Sequence, residues 1–219
     1  MDLNFLKWVR LIVIGCVLIS STDPLLSQKD VFNFGVEVGV MFSQIDGDNM
    51  TGFNKTGYDF SLNSGFNINE SNEIVVATSF QRLGSSRDNE RIPYVDDYYL
   101  IELDIQQVGL TFGYAFSYGE NAFKFKQFRT LIALKTNVLI DVESNVIARK
   151  RPSTPDFVKQ DFRSYYLSAK IATGINIGEH VILGFNFDMS LQNIIRTTDK
   201  FGVQSLRPTQ IGLGLSYYF

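Results

Sequence analysis

The amino-acid sequence predicts an all-β protein, an eight-stranded antiparallel up-and-down barrel that crosses a membrane. Three observations predict it: apolar and polar residues alternate in eight segments, the glycines of these segments share the polar face, and short and long connections follow each other in turn. Strict alternation with period two indicates strands and not helices. With 45% apolar and 20% charged residues, the 219-residue chain fits one folded domain and not a disordered one.

The composition excludes several classes of protein. A net charge of −3 and a mean hydropathy of +0.01 exclude a polytopic helical membrane protein and a strongly basic partner of nucleic acid. One Cys excludes a disulfide framework and a cysteine-based zinc site, and one His leaves no histidine-rich metal cluster. We therefore expect no cofactor and no metal.

The first residues have the features of a targeting segment. Lys7 and Arg10 precede an apolar run over 11–19, and small polar residues follow it. This order is typical of a secretory signal peptide. The run is too short for a membrane-spanning helix, which needs about 20 residues.

We predict that the signal peptide covers residues 1–27, with cleavage after Ser27, and that residues 28–219 form the barrel domain. An alternative is a lipoprotein cleavage box at Val13-Ile14-Gly15-Cys16, which would make Cys16 a lipid anchor. Otherwise Cys16 is removed with the signal peptide.

Apolar residues at every second position define the strands. The eight predicted strands cover 32–42, 58–68, 74–80, 108–116, 128–142, 165–177, 181–191 and 209–219. Before the fourth strand, the apolar residues Ile101, Leu103 and Ile105 occupy odd-numbered positions, whereas the apolar residues of the strand itself occupy even-numbered ones. A bulge near Gln106-Gln107 would bring them to the same face as the rest of the strand.

The polar face is predicted to line the inside of the barrel. Ten glycines lie on it, and glycine weakens a solvent-exposed strand but makes room for long side chains in a narrow lumen. An apolar face outside and a polar face inside are typical of a transmembrane barrel. The predicted lumenal charges, four acids and three bases, are Glu37, Asp59, Arg129, Lys135, Asp141, Lys170 and Asp188.

The connections predict the orientation in the membrane. Outer-membrane barrels have short periplasmic turns and longer extracellular loops. An even number of strands then puts both ends of the mature chain on the periplasmic side. The short connections are 69–72, 117–121 and 178–180, and the long ones are 44–56, 84–97, 143–161 and 193–206.

Glycine and aromatic residues are spaced characteristically in two segments, Gly35-x3-Gly39-x3-Ser43-Gln44-x2-Gly47-Asp48-x3-Gly52-x2-Lys55-x-Gly57-Tyr58 and Gly212-Leu213-Gly214-Leu215-Ser216-Tyr217-Tyr218-Phe219. These segments resemble the opening and the last strand of a known family, the PorT-type outer-membrane β-barrel domain. Met41 stands where that pattern has Asn. The resemblance implies a small eight-stranded barrel, similar to the OmpA and OmpX barrels, in the outer membrane of a Gram-negative-type bacterium. It also implies that Tyr217 and Phe219 form the signal read by the barrel-assembly machinery.

No motif indicates an enzyme. The sequence has no Gly-x-Ser-x-Gly, Walker, Rossmann or zinc signature, and His180 falls in a short turn on the predicted periplasmic side. Asp46-Gly47-Asp48-Asn49 has oxygen ligands suited to calcium but lacks a later bidentate Glu, so a turn is favoured. Arg149-Lys150-Arg151 has a charge suited to lipopolysaccharide phosphates, although solvation explains it as simply.

The lumenal charges have two interpretations, an ion or proton path and a plug of paired side chains. An eight-stranded barrel is just wide enough to be filled by side chains, which favours the plug. We therefore predict a structural role, or binding of a surface or envelope protein through the extracellular loops, with outer-membrane lipids around the barrel. The alternatives are a narrow pore or accessory component of an envelope transport or secretion system, and a soluble lipocalin-like binder.

Overall fold

The computed structural model shows a closed barrel of eight antiparallel strands. It describes residues 31–47, 52–86, 98–119, 128–148, 159–177, 180–196 and 205–219, without the side chains of 98–101 and 145–148. The strands are β1 (Phe32–Asp46), β2 (Lys55–Asn69), β3 (Asn72–Ser86), β4 (Tyr98–Tyr118), β5 (Phe128–Ala148), β6 (Tyr165–Asn176), β7 (Val181–Ser190) and β8 (Arg207–Tyr218). A short 3-10 helix, Lys159–Asp161, precedes β6.

Each strand pairs with its neighbours in the chain, and β1 pairs with β8 to close the barrel. At mid-height Gly39 of β1 lies opposite Asp59 of β2 on one side and Gly214 of β8 on the other. The predicted fold class is confirmed, since all eight predicted strands are present in up-and-down order.

The apolar faces point outward. Phe112 on β4 is 63% exposed and Leu134 on β5 is 58% exposed, whereas the alternate residues Thr111 and Lys135 are 2% and 1% exposed. The same contrast holds around the barrel, and together the exposed apolar side chains form a continuous band. A band of this kind is expected where lipid and not water surrounds the protein.

A register irregularity lies where the sequence predicts a bulge, at Gln106-Gln107, but it does not bring Leu103 and Ile105 to the apolar face. β4 keeps one register with β3 throughout, and its two irregularities, here and between Leu100 and Glu102, lie in its pairing with β5. Gln106 pairs with Asp141 and Gln107 with Leu139, so Ile140 of β5 is the extra residue. Leu103 and Ile105 therefore face inward and are fully buried. Their inward position is favourable because the interior is apolar at this end of the barrel.

The lengths of the connections correct another prediction. The link between β4 and β5 covers 119–127 and is longer than the predicted short turn. The strand ends that it joins, Tyr118 and Phe128, lie at the same end of the barrel as the tight β2–β3 turn and Phe219. The connections at the opposite end, called the long connections below, are 47–54, 87–97, 149–164 and 191–206, and the first of them is no longer than the β4–β5 link.

Candidate functional site

The lumen contains a buried ion pair between Lys135 of β5 and Asp188 of β7. Lys135 Nζ donates a hydrogen bond to Asp188 Oδ2 at 3.1 Å, and the two side chains are only 1% and 3% exposed. Gly109 of β4 faces this pair, and a Cβ there would overlap Lys135 Cε. Glycine thus makes room for the long lysine side chain, as its position on the polar face predicted.

Amide side chains extend this ion pair across the lumen. Lys135 Nζ also donates to Gln81 Oε1, and Gln81 Nε2 donates to Asp59 Oδ2 at 2.9 Å. Gln107 Nε2 donates to Gln81 Oε1 at 2.9 Å, and Gln107 Oε1 accepts from the Tyr166 hydroxyl at 2.6 Å. These bonds link both carboxylates to the lysine and satisfy polar atoms whose burial would otherwise cost about 1–3 kcal/mol each.

Two more predicted lumenal charges lie close to this network. Glu37 Oε1 accepts a hydrogen bond from Asn186 Nδ2 at 2.8 Å, and Glu37 Oε2 accepts one from Ser216 Oγ at 3.2 Å. Lys170 is 7% exposed and is the register partner of Asp188 on the neighbouring strand. Both side chains therefore contribute to the charged middle of the lumen.

Arg129 lies nearer the end of the barrel that carries Phe219. Its Nε and Nη2 donate to Glu73 Oε2 at 3.2 and 2.9 Å, and the Tyr218 ring lies 5.5 Å from its guanidinium carbon. Glu73 is absent from the predicted lumenal charges. It immediately precedes the predicted third strand, and extending the alternation by one residue would have placed it on the lumenal face.

Asp141 lies apart from these charges. It follows the extra residue of β5, is partly exposed, and its Oδ1 accepts a hydrogen bond from the Val142 backbone N–H at 3.0 Å. The bulge shifts the alternation by one residue, so Val142 becomes the buried side chain. The structure therefore brings six of the seven predicted charges into the lumen and leaves Asp141 near its edge.

An apolar layer fills the lumen at the end with the long connections. Phe162 and Ile195, from two different connections, form an antiparallel bridge and are each 1% exposed. At the same end of the barrel, the Ser43 hydroxyl links β1 to β3, because its Oγ donates to Gly84 O and accepts from the Gly84 N–H, both at 2.8 Å. The buried apolar cluster consists of Ile45, Leu83, Leu103, Ile105, Leu139, Val142, Phe162, Tyr166, Ile194, Ile195 and Leu206. The apolar pair Ile194-Ile195 within a long connection was the signal for this layer in the sequence.

Charged side chains form a cluster beyond the apolar band at this same end. Asp104 precedes the outward apolar run of β4, which begins at Val108, and it pairs with Arg82 at 2.5 Å and with Lys55 at 3.1 Å. Burial raises the pKa of the Asp104 carboxyl, but the hydrogen bonds from Arg82 and Lys55 outweigh burial and hold this pKa below its ordinary value. The cluster therefore stabilises this end above the ordinary carboxyl pKa and loses that contribution as the pH falls through the lowered one.

The proposed assembly signal lies on the outer face. Tyr217 and Phe219 are 45% and 70% exposed, and their rings meet edge to face at 5.4 Å. The Phe219 N–H donates to Phe34 O at 2.9 Å, which ties the chain end to β1. The His180 ring lies 5.8 Å from the Tyr217 ring at the same edge.

The remaining candidate sites from the sequence lie wholly or partly outside the described residues. Gly47 has a φ of +101°, as a turn requires, while Asp48 and Asn49 lie outside the described residues. Arg149-Lys150-Arg151 and the whole predicted signal segment, with Cys16, also lie outside them. Among the described residues, no group of three or more His, Cys, Asp or Glu side chains is placed to hold a metal ion. No helix in that part of the chain is long and apolar enough to cross a membrane.

Comparison with known proteins supports the fold. Neisserial surface protein A is similar with a TM-score of 0.50 and 11% identity over 85% of this chain and 97% of that one. Ail, the attachment invasion locus protein of Yersinia pestis, has a TM-score of 0.45 and 11% identity over 86% and 99%. OprG from Pseudomonas aeruginosa has a TM-score of 0.40 and 14% identity over 86% and 94%.

No protein-family model matches the chain, and no curated protein matches it in sequence. The resemblance to the PorT-type domain therefore stays a prediction. At 11% identity, the likeness to Neisserial surface protein A shows the fold alone. That fold, together with the outward apolar band, makes the chain a barrel of the outer-membrane type.

Proposed function

We propose that the chain is a small barrel of the outer membrane of a Gram-negative-type bacterium, whose lumen is closed by its own side chains. Removal of residues 1–27 would leave residues 28–219 as the mature barrel. Its role is structural, or it binds a surface or envelope protein through the four long connections. Outer-membrane lipids surround its apolar band, and the barrel-assembly machinery reads its last strand.

The observation that carries this proposal is the filling of the lumen by two successive layers. The polar network around Lys135 and Asp188 occupies the middle, and the apolar cluster with Phe162 and Ile195 occupies the end with the long connections. Eight strands leave an interior only wide enough for side chains. Buried charges that pair and bond in this way support a structural plug, because an unpaired buried charge is costly.

Because lipid covers the apolar outer surface of the barrel, we place a partner at the long connections. The band exposes large apolar side chains, and contiguous exposed apolar surface of this extent marks a membrane or protein contact. We therefore place the recognition of a partner at the long connections.

The alternative is a narrow pore or an accessory component of an envelope transport or secretion system. One observation favours it: Glu37, Asp59, Lys135, Lys170 and Asp188 all lie within the lumen. Charges along a lumen are also what an ion path needs. Conductance separates this function from the closed barrel.

The experiment records single-channel currents from mature wild-type barrel reconstituted in planar bilayers. Gel migration of unheated and heated samples first shows that the barrel is folded. We expect no steady current, and a double variant, Lys135→Ala with Tyr166→Ala, should open transient currents because it removes two large buried side chains. Reproducible steps from the wild-type barrel would replace the closed-barrel proposal with the pore.

A further inference from the structure

The end of the barrel that carries Phe219 holds a cavity of about 880 Å³. It opens beside the β2–β3 and β6–β7 turns, away from the long connections. Its lining includes Asn33, Asn67, Glu73, Arg129, Asn176 and Tyr218. The volume lies within the roughly 300–1,000 Å³ typical of sites for small ligands.

A second apolar layer lies deeper in the barrel than the cavity. Val75, Ala115, Leu131 and Ala133 point inward, pack together and are 1–7% exposed. This layer lies between the cavity and the polar network around Lys135. On β5, Leu131 and Ala133 lie between Arg129, which lines the cavity, and Lys135 of the network.

The hydrogen-bonding groups of the walls are mostly neutral amides and hydroxyls, together with the carboxylate of Glu73. Asn33 Nδ2 donates to Asn67 Oδ1 at 3.0 Å, which holds these two amides in place. Asn176 Oδ1 is a buried acceptor with no partner among the described residues, and so is Glu73 Oε1. A buried polar atom without a partner carries a free-energy cost that a ligand or a water molecule can relieve.

Two of the charges that line the cavity, Glu73 and Arg129, neutralise each other, and Glu70 lies exposed on the turn at the mouth. Glu73 and Arg129 form an ion pair of 2.9 Å, with side chains only 12% and 15% exposed. An ionic ligand would have to break this pair to gain a strong contact, and breaking a buried pair is costly. The pair therefore favours a neutral ligand.

Aromatic rings add an apolar surface beside these polar groups. The Tyr218 ring stacks over Arg129, and Phe219 and His180 lie at the lip of the cavity. Rings of this kind cover C–H faces of a ligand while the neighbouring amides bond its polar groups. The combination suits a molecule with hydroxyl groups on a hydrocarbon frame.

We propose that this cavity binds a neutral, hydroxyl-rich ligand, a short oligosaccharide, presented on the side of the membrane that carries the end of the chain. Side-chain amides both donate and accept, as each hydroxyl does, so one amide serves two neighbouring hydroxyls. This site is independent of the long connections and of whatever they bind. It holds equally for a closed barrel and for a pore.

The test uses the full mature chain in a zwitterionic detergent that has no sugar head group. Binding of maltotriose and of N,N′,N″-triacetylchitotriose is measured by saturation-transfer NMR and by calorimetry, with inorganic phosphate and trilysine as charged competitors. We expect saturable binding of at least one trisaccharide and none of the charged probes. Asn176→Leu should weaken it about tenfold, which corresponds to roughly 1.4 kcal/mol.

Two further variants keep the result interpretable. Arg196→Gln, at the exposed far end of the barrel, is the matched control and should leave the affinity unchanged. Ser71→Cys lies on the exposed turn at the cavity mouth, and a bulky maleimide there should block binding without disturbing the fold. No saturable trisaccharide binding, binding of phosphate or trilysine instead, or affinity unaffected by both Asn176→Leu and the blocked Ser71→Cys would overturn the proposal.

Discussion

Replacing Lys135 by Met tests whether the lumenal network stabilises the barrel. The substitution keeps a long unbranched side chain but removes the charge and the hydrogen-bond donors of the ammonium group. Asp188 Oδ2 then loses its donor at 3.1 Å while the carboxylate stays 3% exposed. Gln81 Oε1 loses one donor but keeps Gln107 Nε2 at 2.9 Å, so most of the cost falls on Asp188.

The magnitude follows from the burial of the remaining carboxylate. Removing one partner of a buried ion pair costs about 3–5 kcal/mol. Lys170 is the register partner of Asp188 and still offsets part of its charge, so we expect a value near the lower limit. Replacing both partners, in the double variant Lys135→Met with Asp188→Leu, should recover much of the loss because the two charges of the pair are removed together.

The assay is urea unfolding of the barrel in lipid vesicles, followed by gel migration of unheated samples. Gel migration is chosen because Trp8, the one tryptophan, falls in the predicted signal peptide and leaves no tryptophan fluorescence in the mature chain. A lower urea midpoint for Lys135→Met, restored in the double variant, is the expected result. If Lys135→Met unfolds at the wild-type midpoint, the ion pair does not stabilise the barrel and the reasoning is wrong.

Three further predictions concern close strand contact, assembly and orientation. Gly57→Ala should lower the free energy of unfolding by about 1–3 kcal/mol in the same urea assay, because the new Cβ would overlap the Arg82 carbonyl oxygen. Gly184→Ala is the control, because its Cβ would meet its nearest neighbour at 3.6 Å, and it should change stability by less than about 1 kcal/mol. Equal losses in the two variants would contradict the role of close strand contact. Deleting Phe219 should lower the amount of folded barrel in the outer-membrane fraction, because its ring and its N–H hold the chain end on the outer edge; full yield would refute the assembly signal. An epitope tag within residues 153–159 should be accessible to antibody on intact cells and a tag at 179–180 should not, and the opposite labelling would reverse the predicted orientation.

The alternation in the sequence was sufficient to predict the strands and their two faces. Successive side chains of a strand point to opposite sides, so residues such as Phe112 and Thr111 are assigned to opposite faces by position alone. The glycines indicated which of the two faces is enclosed, since Gly109 makes room for Lys135 in the lumen. These properties depend on local backbone geometry, which is determined by residues that are neighbours in the sequence.

The cross-lumen contacts required the tertiary structure. Lys135 and Asp188 lie on strands that are not neighbours, and their meeting depends on the stagger of all the strands between and around them. The extra residue Ile140 lies in β5, although the parity change that suggested a bulge lies in β4. A register shift is a property of a strand pair, so the sequence of β4 alone could not show that the extra residue lies in β5.

The apolar layer formed by the long connections was also decided by the tertiary structure. Phe162 and Ile195 belong to connections far apart in the chain, and neither connection shows the period of a strand. They pack together because the barrel brings the ends of β5, β6 and β7 to one mouth, where burying apolar side chains is favourable. The sequence by itself determined an inverted barrel with a polar lumen, and the tertiary structure decided how that lumen is filled, because packing joins residues that no local pattern connects.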